Sequence, residues 1–127
     1  MKEPLTRERA LELHRQMWGD MQSKLGDNPG PMERGSFKDQ WIKEHFPGEC
    51  VFSDCFLCDY AFNENRKNPV EGGYCRYCPI NWNSRGPGNG SAPCAPGVFL
   101  IMRHGAYTDY RISPISKILA LPEREVL

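Results

Sequence analysis

Residues 55–82 read CFLCDYAFNENRKNPVEGGYCRYCPINW and contain two Cys-x-x-Cys pairs with sixteen residues between them. This spacing is typical of a zinc site, because each pair forms one tight turn that aims two sulfurs at a single ion, and two such turns complete a tetrahedron. The pattern predicts one zinc ion bound by Cys55, Cys58, Cys75 and Cys78. Four protein ligands leave no open coordination position for a reacting water, so we expect a structural metal and no enzymatic activity.

The rest of the chain offers little material for a core, which makes a metal more important for its stability. The 127 residues have a mean hydropathy of −0.61 and include 12 glycines and 11 prolines. A structural zinc contributes roughly 10 to 16 kcal/mol in small peptides at neutral pH, as much as the whole stability of many domains. We therefore expect removal of the metal to unfold at least residues 50–97. The cations Arg66, Lys67 and Arg76 lie in or beside the loop and can offset the negative charge of four thiolates.

Other uses of the cysteines stay open. Cys50 or Cys94 can replace one of the four ligands, or can remain a free thiol. The pairs can instead form vicinal redox disulfides. Cys50, Cys55 and Cys58 also follow the spacing of the first three ligands of a plant-type ferredoxin, with Cys94 as a distant fourth, but an iron–sulfur cluster of this kind leaves the second pair unexplained.

The sequence also bears on the compartment. The opening residues, MKEPLTRERALELH, carry charges where a signal peptide needs an apolar run. No apolar stretch approaches the roughly 20 residues of a membrane-spanning helix. We therefore expect a cytoplasmic protein with no membrane partner. Thiols are kept reduced in the cytosol, which favours metal ligands over three disulfides.

The clearest predicted element is a helix that starts after Thr6. Thr6 is suited to cap the first turn, and Gly26 with the turn residues that run on to Pro31 ends the pattern. Apolar side chains follow each other at helical spacing along this helix and form a stripe on one face. Such a stripe usually faces the core, although it can also bind a partner. His14 lies on its edge, and we expect it to be a packing residue. The stripe consists of apolar side chains at helical spacing: Ala10, Leu13, Met17, Trp18, Met21 and Leu25.

A second, shorter helix is predicted to begin at a capping box formed by Ser36 and Asp39 and to end before Pro47. Its apolar residues are Phe37, Trp41 and Ile42. From residue 50 onward the periodicity fades, and residues 83–97 are so rich in Gly and Pro that we expect an irregular loop.

The end of the chain contains an apolar segment and a last predicted helix. Residues 98–102 are apolar, and their pattern fits a strand or a buried helical turn equally well. Ser113 and Pro114 are suited to cap and begin the helix, and Pro122 is predicted to end it. The apolar residues of this helix are Ile115, Ile118, Leu119 and Leu121.

Aromatic and basic residues near the cysteines raise a second functional class, nucleic-acid binding. The candidate phosphate contacts are Arg66, Lys67, Arg76 and Arg85, with Arg103 and Arg111 further along. The aromatic residues are Phe52, Phe56, Tyr60, Phe62, Tyr74, Tyr77 and Trp82. The chain as a whole carries 16 basic and 16 acidic residues. This balance favours a small aromatic core around the metal over a surface for stacking bases.

Several segments resemble, in the same order, small cysteine-rich proteins encoded by phages and prophages of Gram-positive bacteria. These segments are ALELHRQMW, CFLCDYA, CRYCPINW, a later lone cysteine and ISKILALPER. The resemblance implies a phage accessory setting and metal binding, without an assigned catalytic activity. Asp59 and Pro79 stand where glycine commonly follows the second cysteine of a zinc-ribbon knuckle, so a standard ribbon hairpin is in doubt.

Together these features predict a single domain over residues 1–127, an α-rich, irregular, zinc-bound fold with two or three helices packed on the cysteine region and little β-structure. Its parts are a helical segment (1–49), a zinc-binding loop region (50–97), and an apolar segment with a C-terminal helix (98–127). The predicted function is that of a non-enzymatic phage accessory protein in the host cytoplasm that binds a host or phage protein, for instance to inhibit a host defence. The alternative is a zinc-stabilised nucleic-acid-binding protein.

Overall fold

The computed structural model describes residues 1–81 and 114–127. Within these residues the chain forms four α-helices, two short 3₁₀ turns and one isolated antiparallel bridge between Ile80 and Glu123. The prediction of an α-rich fold with little β-structure is confirmed for this part of the chain. The helices are α1 (Arg7–Leu25), α2 (Pro31–His45), α3 (Phe56–Lys67) and α4 (Ile115–Leu119), and the first and second 3₁₀ turns are Phe52–Asp54 and Tyr74–Tyr77.

Helix α1 matches its prediction at both ends. The Oγ1 atom of Thr6 accepts a hydrogen bond from the backbone N–H of Arg9 at 3.1 Å, which makes Thr6 the N-cap. The helix stops before Gly26, whose φ of 83° lies in the left-handed region that glycine adopts without strain. The apolar stripe is buried by the chain itself, so it is core and not an open surface for a partner. Of the predicted stripe, Leu25 is partly buried and the other members are buried: Ala10, Leu13, Met17, Trp18 and Met21. Leu11, which was not predicted to belong to the stripe, is buried as well.

Helix α2 begins earlier than predicted, at Pro31 and not after Ser36. Gly30 is its N-cap residue, and the backbone N–H of Gly30 donates to the Glu33 carboxylate at 3.1 Å. The sequence prediction is wrong here because proline, which breaks the interior of a helix, is favoured as its first residue. The other end is as predicted, since the helix stops at His45.

Helix α3 corrects the prediction that residues 50–97 form a zinc-binding loop region. It occupies Phe56–Lys67, which is most of the interval between the two cysteine pairs. Asp59 in its first turn and the two basic residues in its last turn suit the helix dipole. The prediction failed because a Cys-x-x-Cys pair fits the start of a helix as well as it fits a tight turn. The apolar side chains that α3 buries are Phe56, Leu57, Tyr60 and Ala61.

Helix α4 is shorter than predicted. Its N-cap residue is Pro114, and it ends at Leu119, before Pro122 is reached. Ile115 and Ile118 are buried where α4 packs on α1. The proposed cap Ser113 lies outside the described residues.

The core lies where α3 and α4 pack on α1. Helix α2 adds Trp41 and Ile42, and the indole Nε1 of Trp41 donates to the Asp20 carboxylate of α1 at 2.8 Å. Helix α1 is therefore the central element, because each of the other three described helices packs on it. The large side chains that are almost wholly buried include Leu13, Met17, Met21, Phe56, Leu57, Ile80, Ile115 and Ile118.

Several predictions fall on residues 82–113 and so lie outside the described part of the chain. They concern the loop of residues 83–97, the apolar segment of residues 98–102, and the side chains of Arg85 and Cys94. The single-domain organisation stays a prediction. Among the helices of the described ranges, none is long and apolar enough to cross a membrane.

Candidate metal and thiol site

The first cysteine pair lies at the start of α3. Cys55 is the N-cap residue, with an extended backbone (φ −139°, ψ 115°), and Cys58 lies in the first turn of the helix. The backbone N–H of Asp59 donates to the Cys55 carbonyl at 2.9 Å and so closes that turn. The thiol of Cys58 donates a hydrogen bond to the sulfur of Cys55. The local fold therefore brings the two sulfurs of this pair together.

The surroundings of Cys55 stabilise its thiolate. The hydrogen bond from Cys58 is the main reason that the pKa of Cys55 falls from its usual value of 9.0 to about 6, and burial of the thiol opposes this shift. The positive charge of Lys38 and the backbone N–H groups of Cys58 and Leu57 lower the pKa further. At neutral pH Cys55 is thus held as the thiolate, the form that binds metals and attacks disulfides.

The second cysteine pair spans the second 3₁₀ turn. Cys75 lies within the turn and Cys78 directly follows it, with the backbone N–H of Cys78 donating to the Cys75 carbonyl at 3.2 Å. Cys78 is almost wholly buried, whereas Cys75 is partly exposed. The two cysteines therefore differ in their access to solvent.

Residues near the end of the chain hold the second pair in place. The guanidinium of Arg124 donates to the Cys75 carbonyl at 2.8 Å, and its backbone N–H donates to the Pro79 carbonyl at 2.7 Å. The backbone N–H of Asn81 donates in turn to the Pro122 carbonyl at 2.9 Å. The C-terminal segment thus pairs with the chain that leaves the second pair.

The two pairs lie on elements that touch, since α3 packs against the second 3₁₀ turn. Cys55, Cys75 and Cys78 all contact the same hydrophobic core. In residues 1–81 and 114–127, which include all four predicted ligands, no group of three or more His, Cys, Asp or Glu side chains is arranged to hold a metal ion. The structure therefore brings the pairs onto neighbouring elements without a formed zinc site, and zinc binding stays a prediction.

The alternative ligands are placed differently. Cys50 is exposed, and its carbonyl accepts a hydrogen bond from the amino nitrogen of Met1 at 2.7 Å. No disulfide joins any two of the five cysteines in the part of the chain that the structure describes. Cys94, the other candidate ligand, lies outside these residues, so the ferredoxin-like set that includes it stays untested.

Asp59 is a buried structural residue whose role the sequence did not reveal. It follows Cys58 directly, and its carboxylate is buried. One carboxylate oxygen accepts from the backbone N–H of Phe52 at 2.9 Å, and the other accepts from the side-chain amide of Asn63 at 3.3 Å. Asp59 thereby fixes the first 3₁₀ turn, in which Ser53 has a φ of 56°. Because Asp59 is part of a helix, the chain after the first pair does not form a ribbon hairpin.

Three aromatic rings form a cluster beside the first 3₁₀ turn. Phe52 and Phe62 are stacked, with ring centroids 4.5 Å apart, and Tyr74 meets both rings edge-on at 5.4 and 5.9 Å. The guanidinium of Arg66 lies 5.9 Å from the centroid of Phe62. Phe52 is 36% exposed, so part of this aromatic cluster faces solvent.

The basic residues predicted to contact nucleic acid do not form one patch. Arg66 lies at the aromatic cluster, whereas Arg76 lines a separate cavity of about 390 Å³ with Arg7, Tyr60 and Glu64. Phe62 and Glu64 are two positions apart on α3 and so point to opposite sides of that helix. The ammonium of Lys67 lies 3.9 Å from the Glu64 carboxylate. Arg85 falls outside the described residues.

His14 is a packing residue, as the sequence suggested. Its side chain is buried, and its ring meets Trp18 edge-on at a centroid distance of 6.5 Å. Burial is the main reason that its pKa falls from 6.5 to about 3, and the positive charges of Lys38 and Arg15 add to the shift. The imidazole is therefore neutral in the folded protein at physiological pH.

Comparison of the chain with protein-family models, with curated proteins and with solved structures gave no match.

Proposed function

We propose that the chain is a non-enzymatic accessory protein of a phage or prophage, stabilised by one zinc ion, that acts by binding a host or phage protein. Inhibition of a host defence is one action of this kind. In this proposal the ligands are Cys55, Cys58, Cys75 and Cys78, and the metal is a scaffold for the surface around it.

The observation that carries the proposal is the packing of α3 on the second 3₁₀ turn. One Cys-x-x-Cys pair lies at the start of α3 and the other at the second 3₁₀ turn, so the four proposed ligands belong to neighbouring elements of the fold. The ion would replace the hydrogen bond between Cys58 and Cys55 with two metal–sulfur bonds of about 2.3 Å. A Cys55 thiolate at neutral pH suits this exchange, because metals bind the deprotonated sulfur.

A protein partner follows from the structural role of the metal. A zinc ion with four protein ligands has no open position for a substrate. In this proposal the function therefore depends on surface residues that bind a partner. The buried stripe of α1 is not part of that surface, because the core occupies it. The partner therefore binds a face other than this stripe.

The test of the metal is elemental analysis of the full-length protein purified without chelators. We expect about one zinc per chain in the wild type, and a loss of zinc and of helical circular dichroism in Cys55→Ser. Cys50→Ser is the matched control, because Cys50 is exposed, and it should keep both. Zinc-free wild-type protein, or equal zinc loss in both variants, contradicts the proposed ligand set.

The test of the partner uses the same preparation. The tagged protein is purified from its native host, and the proteins that elute with it are identified alongside the zinc content. A stoichiometric partner that dissociates when the zinc is chelated supports the proposal. A zinc-containing protein that elutes alone at every salt concentration contradicts the protein-binding part of it.

A second candidate, binding of single-stranded nucleic acid, is favoured by the aromatic cluster and Arg66. A partly exposed phenylalanine beside a guanidinium is a combination that stacks bases, at about 1 to 3 kcal/mol per base. This candidate predicts affinity that falls steeply with salt, because contacts to phosphates release counterions. Binding of a labelled oligonucleotide that is absent at low salt, or unchanged by Phe52→Ala, removes the candidate.

A further inference from the structure

A cavity of about 390 Å³ is lined by residues of α1, α3, the second 3₁₀ turn and the C-terminal segment. We propose that this cavity binds a carboxylate beside an apolar group, the combination that an acidic residue next to a leucine or valine presents on a partner protein. Arg76 is the residue that pairs with the carboxylate. The partner in this statement rests on the proposed function, whereas binding of the carboxylate can be measured without it.

The size and the walls of the cavity suit a side chain of a partner. Volumes of about 300 to 1,000 Å³ are typical of ligand pockets. Tyrosine and arginine are the residue types that, with tryptophan, supply most of the binding energy at protein interfaces. Four of the residues that line the cavity belong to these types: Arg7 of α1, Tyr60 of α3, and Arg76 and Tyr77 of the second 3₁₀ turn.

Arg76 is a lining cation to which the described residues offer no acceptor. In residues 1–81 and 114–127 its side chain has no hydrogen bond or ion pair, and its Nε atom is buried. A buried donor of a charged group is costly to leave unpaired, so an acceptor from outside is favoured. Arg7 differs, because its guanidinium already donates to the Glu123 carboxylate at 3.3 Å and to the Arg124 carbonyl. Arg76 is therefore the arginine with donors to spare.

The acidic residues of the cavity favour a single carboxylate over a phosphate. Glu64 and Glu125 line the cavity together with the arginines. Glu64 has a cation of its own, because the Lys67 ammonium lies 3.9 Å from its carboxylate, whereas Glu125 is exposed. Both carboxylates repel a dianionic phosphate about twice as strongly as they repel a singly charged ligand. A carboxylate also matches the planar fork of an arginine, with which it forms two parallel hydrogen bonds.

Two exposed apolar side chains lie at the same cavity. Val126 is 76% exposed and Leu127 is 55% exposed, and both line the cavity. They are two of the four large hydrophobic side chains that are exposed in the described part of the chain. An apolar side chain of a ligand that contacts them removes apolar surface from water. The cavity thus offers a charged contact and an apolar contact side by side.

The walls of the cavity are held in place by the fold. The hydroxyl of Tyr77 donates to the Asn68 carbonyl at 2.7 Å, and both residues line the cavity. The isolated bridge between Ile80 and Glu123 fixes the C-terminal segment beside the second 3₁₀ turn. A preformed site loses less conformational freedom when a ligand binds.

The experiment titrates the full-length protein, as purified, with two dipeptides that differ in one group. N-acetyl-glutamyl-leucine amide offers a carboxylate and an apolar group, and N-acetyl-glutaminyl-leucine amide is its neutral counterpart. The NMR signals of the Arg76 Nε–H and of the backbone N–H groups around the cavity report binding. We expect the glutamyl dipeptide to shift these signals and to bind at least about tenfold more tightly than the glutaminyl one, because an arginine–carboxylate pair is charge-assisted.

Single variants locate the site through the backbone signals. Arg76→Gln should lose the preference for the glutamyl dipeptide. Arg66→Gln is the matched control, because Arg66 is an exposed arginine at the aromatic cluster, and it should keep the preference. Glu125→Gln should strengthen binding, since it removes a negative charge from the cavity. Circular dichroism checks the fold of each variant, and where Arg76→Gln is unfolded the comparison of the two dipeptides on the wild type decides.

Three results would overturn the proposal. The first is an Arg76 signal that does not move with the glutamyl dipeptide at any concentration up to its solubility limit. The second is equal affinity for the two dipeptides. The third is inorganic phosphate that shifts the signal at a lower concentration than the glutamyl dipeptide, which would make the cavity a phosphate site.

The outcome is separable from that of the proposed function. A partner from the native host that the wild type and folded Arg76→Gln capture equally rejects this inference alone. Wild-type protein that binds the glutamyl dipeptide but captures no partner rejects the proposed function and supports the carboxylate site.

Discussion

Asp27 caps helix α4 by accepting hydrogen bonds from Ser116, although the two residues are 89 positions apart in the sequence. Its carboxylate accepts hydrogen bonds from the backbone N–H of Ser116 at 2.7 Å and from the Ser116 hydroxyl at 2.8 Å. The backbone carbonyl of Asp27 also accepts from the N–H of Ile115 at 2.8 Å. Pro114 has no side-chain acceptor, so a residue just after α1 satisfies the first N–H groups of α4.

The first prediction concerns this cap. Asp27→Ala should lower the thermal stability of the protein and release α4 from α1, because the first N–H groups of the helix lose their acceptor. Asp27→Asn should lower the thermal stability less, since the amide oxygen can still accept a hydrogen bond from Ser116. The measurement is thermal unfolding by circular dichroism, with Glu71→Gln at an exposed position as the control. A melting temperature that Asp27→Ala leaves unchanged contradicts the capping role.

The same contact predicts a dependence on acid. The Ser116 hydroxyl, then its N–H, and then Gln22 lower the pKa of Asp27 below its usual value of 3.8. The carboxylate therefore adds stability above the unfolded pKa, and this contribution is lost as pH falls through the folded pKa. Asp27→Asn should show a smaller loss of melting temperature between pH 5 and pH 3 than the wild type. Equal losses would contradict this assignment.

A third prediction concerns His14, which affects stability over a different pH range from Asp27. Because the pKa of buried His14 is lowered to about 3, the unfolded chain binds a proton below pH 6.5 that the folded protein does not. Stability should fall as pH drops from 6.5, by at most about 1.4 kcal/mol per pH unit for one proton.

Urea unfolding at pH 7.5, 6.5 and 5.5 measures this slope. We expect His14→Gln to flatten the slope, whatever its effect on absolute stability, because the titrating group is gone. His45→Gln is the matched control for replacing a histidine, at an exposed position of α2. A slope that survives in His14→Gln assigns the protonation to another group.

Local sequence signals predicted α1 well, and the reason is that all of them lie within the helix or next to it. Thr6 provides the cap, Gly26 ends the helix, and the stripe between them is buried as the spacing required. The spacing of the four cysteines likewise predicted a candidate zinc site, and zinc binding there stays a prediction. The distance between the two pairs could not be predicted from spacing, because it depends on how α3 packs against the second 3₁₀ turn.

The features that the sequence did not reveal depend on contacts between distant residues or on ambiguous local signals. No local sequence signal near Asp27 or Ser116 predicts their contact, because it joins residues on opposite sides of the cysteine region. Asp59 is one of many acidic residues, and only the fold shows that it is buried and bonded to Phe52. Pro31 is ambiguous for another reason, since proline both ends helices and begins them.

A fourth prediction tests Asp59. Asp59→Ala should destabilise the protein by about 1 to 3 kcal/mol, because the backbone N–H of Phe52 loses its buried acceptor. Asp39→Ala is the matched control in α2, where the exposed carboxylate lies 2.9 Å from the Lys43 ammonium. This variant should lose much less stability, because an exposed ion pair contributes little. Urea unfolding measures both variants. Similar losses at the two positions would show that Asp59 is not a structural anchor.

The fifth prediction compares two phenylalanines that the fold treats differently. Phe56 is almost wholly buried, with its ring centroid 5.7 Å from those of Trp41 and Phe46, whereas Phe52 is 36% exposed in the aromatic cluster. Phe56→Ala should lower the free energy of unfolding by about 3 to 5 kcal/mol, because it leaves a cavity between α2 and α3. Phe52→Ala should cost distinctly less, since solvent already reaches its ring. Urea unfolding followed by tryptophan fluorescence measures both variants. A larger loss of stability in Phe52→Ala than in Phe56→Ala would contradict the burial of Phe56 in the core.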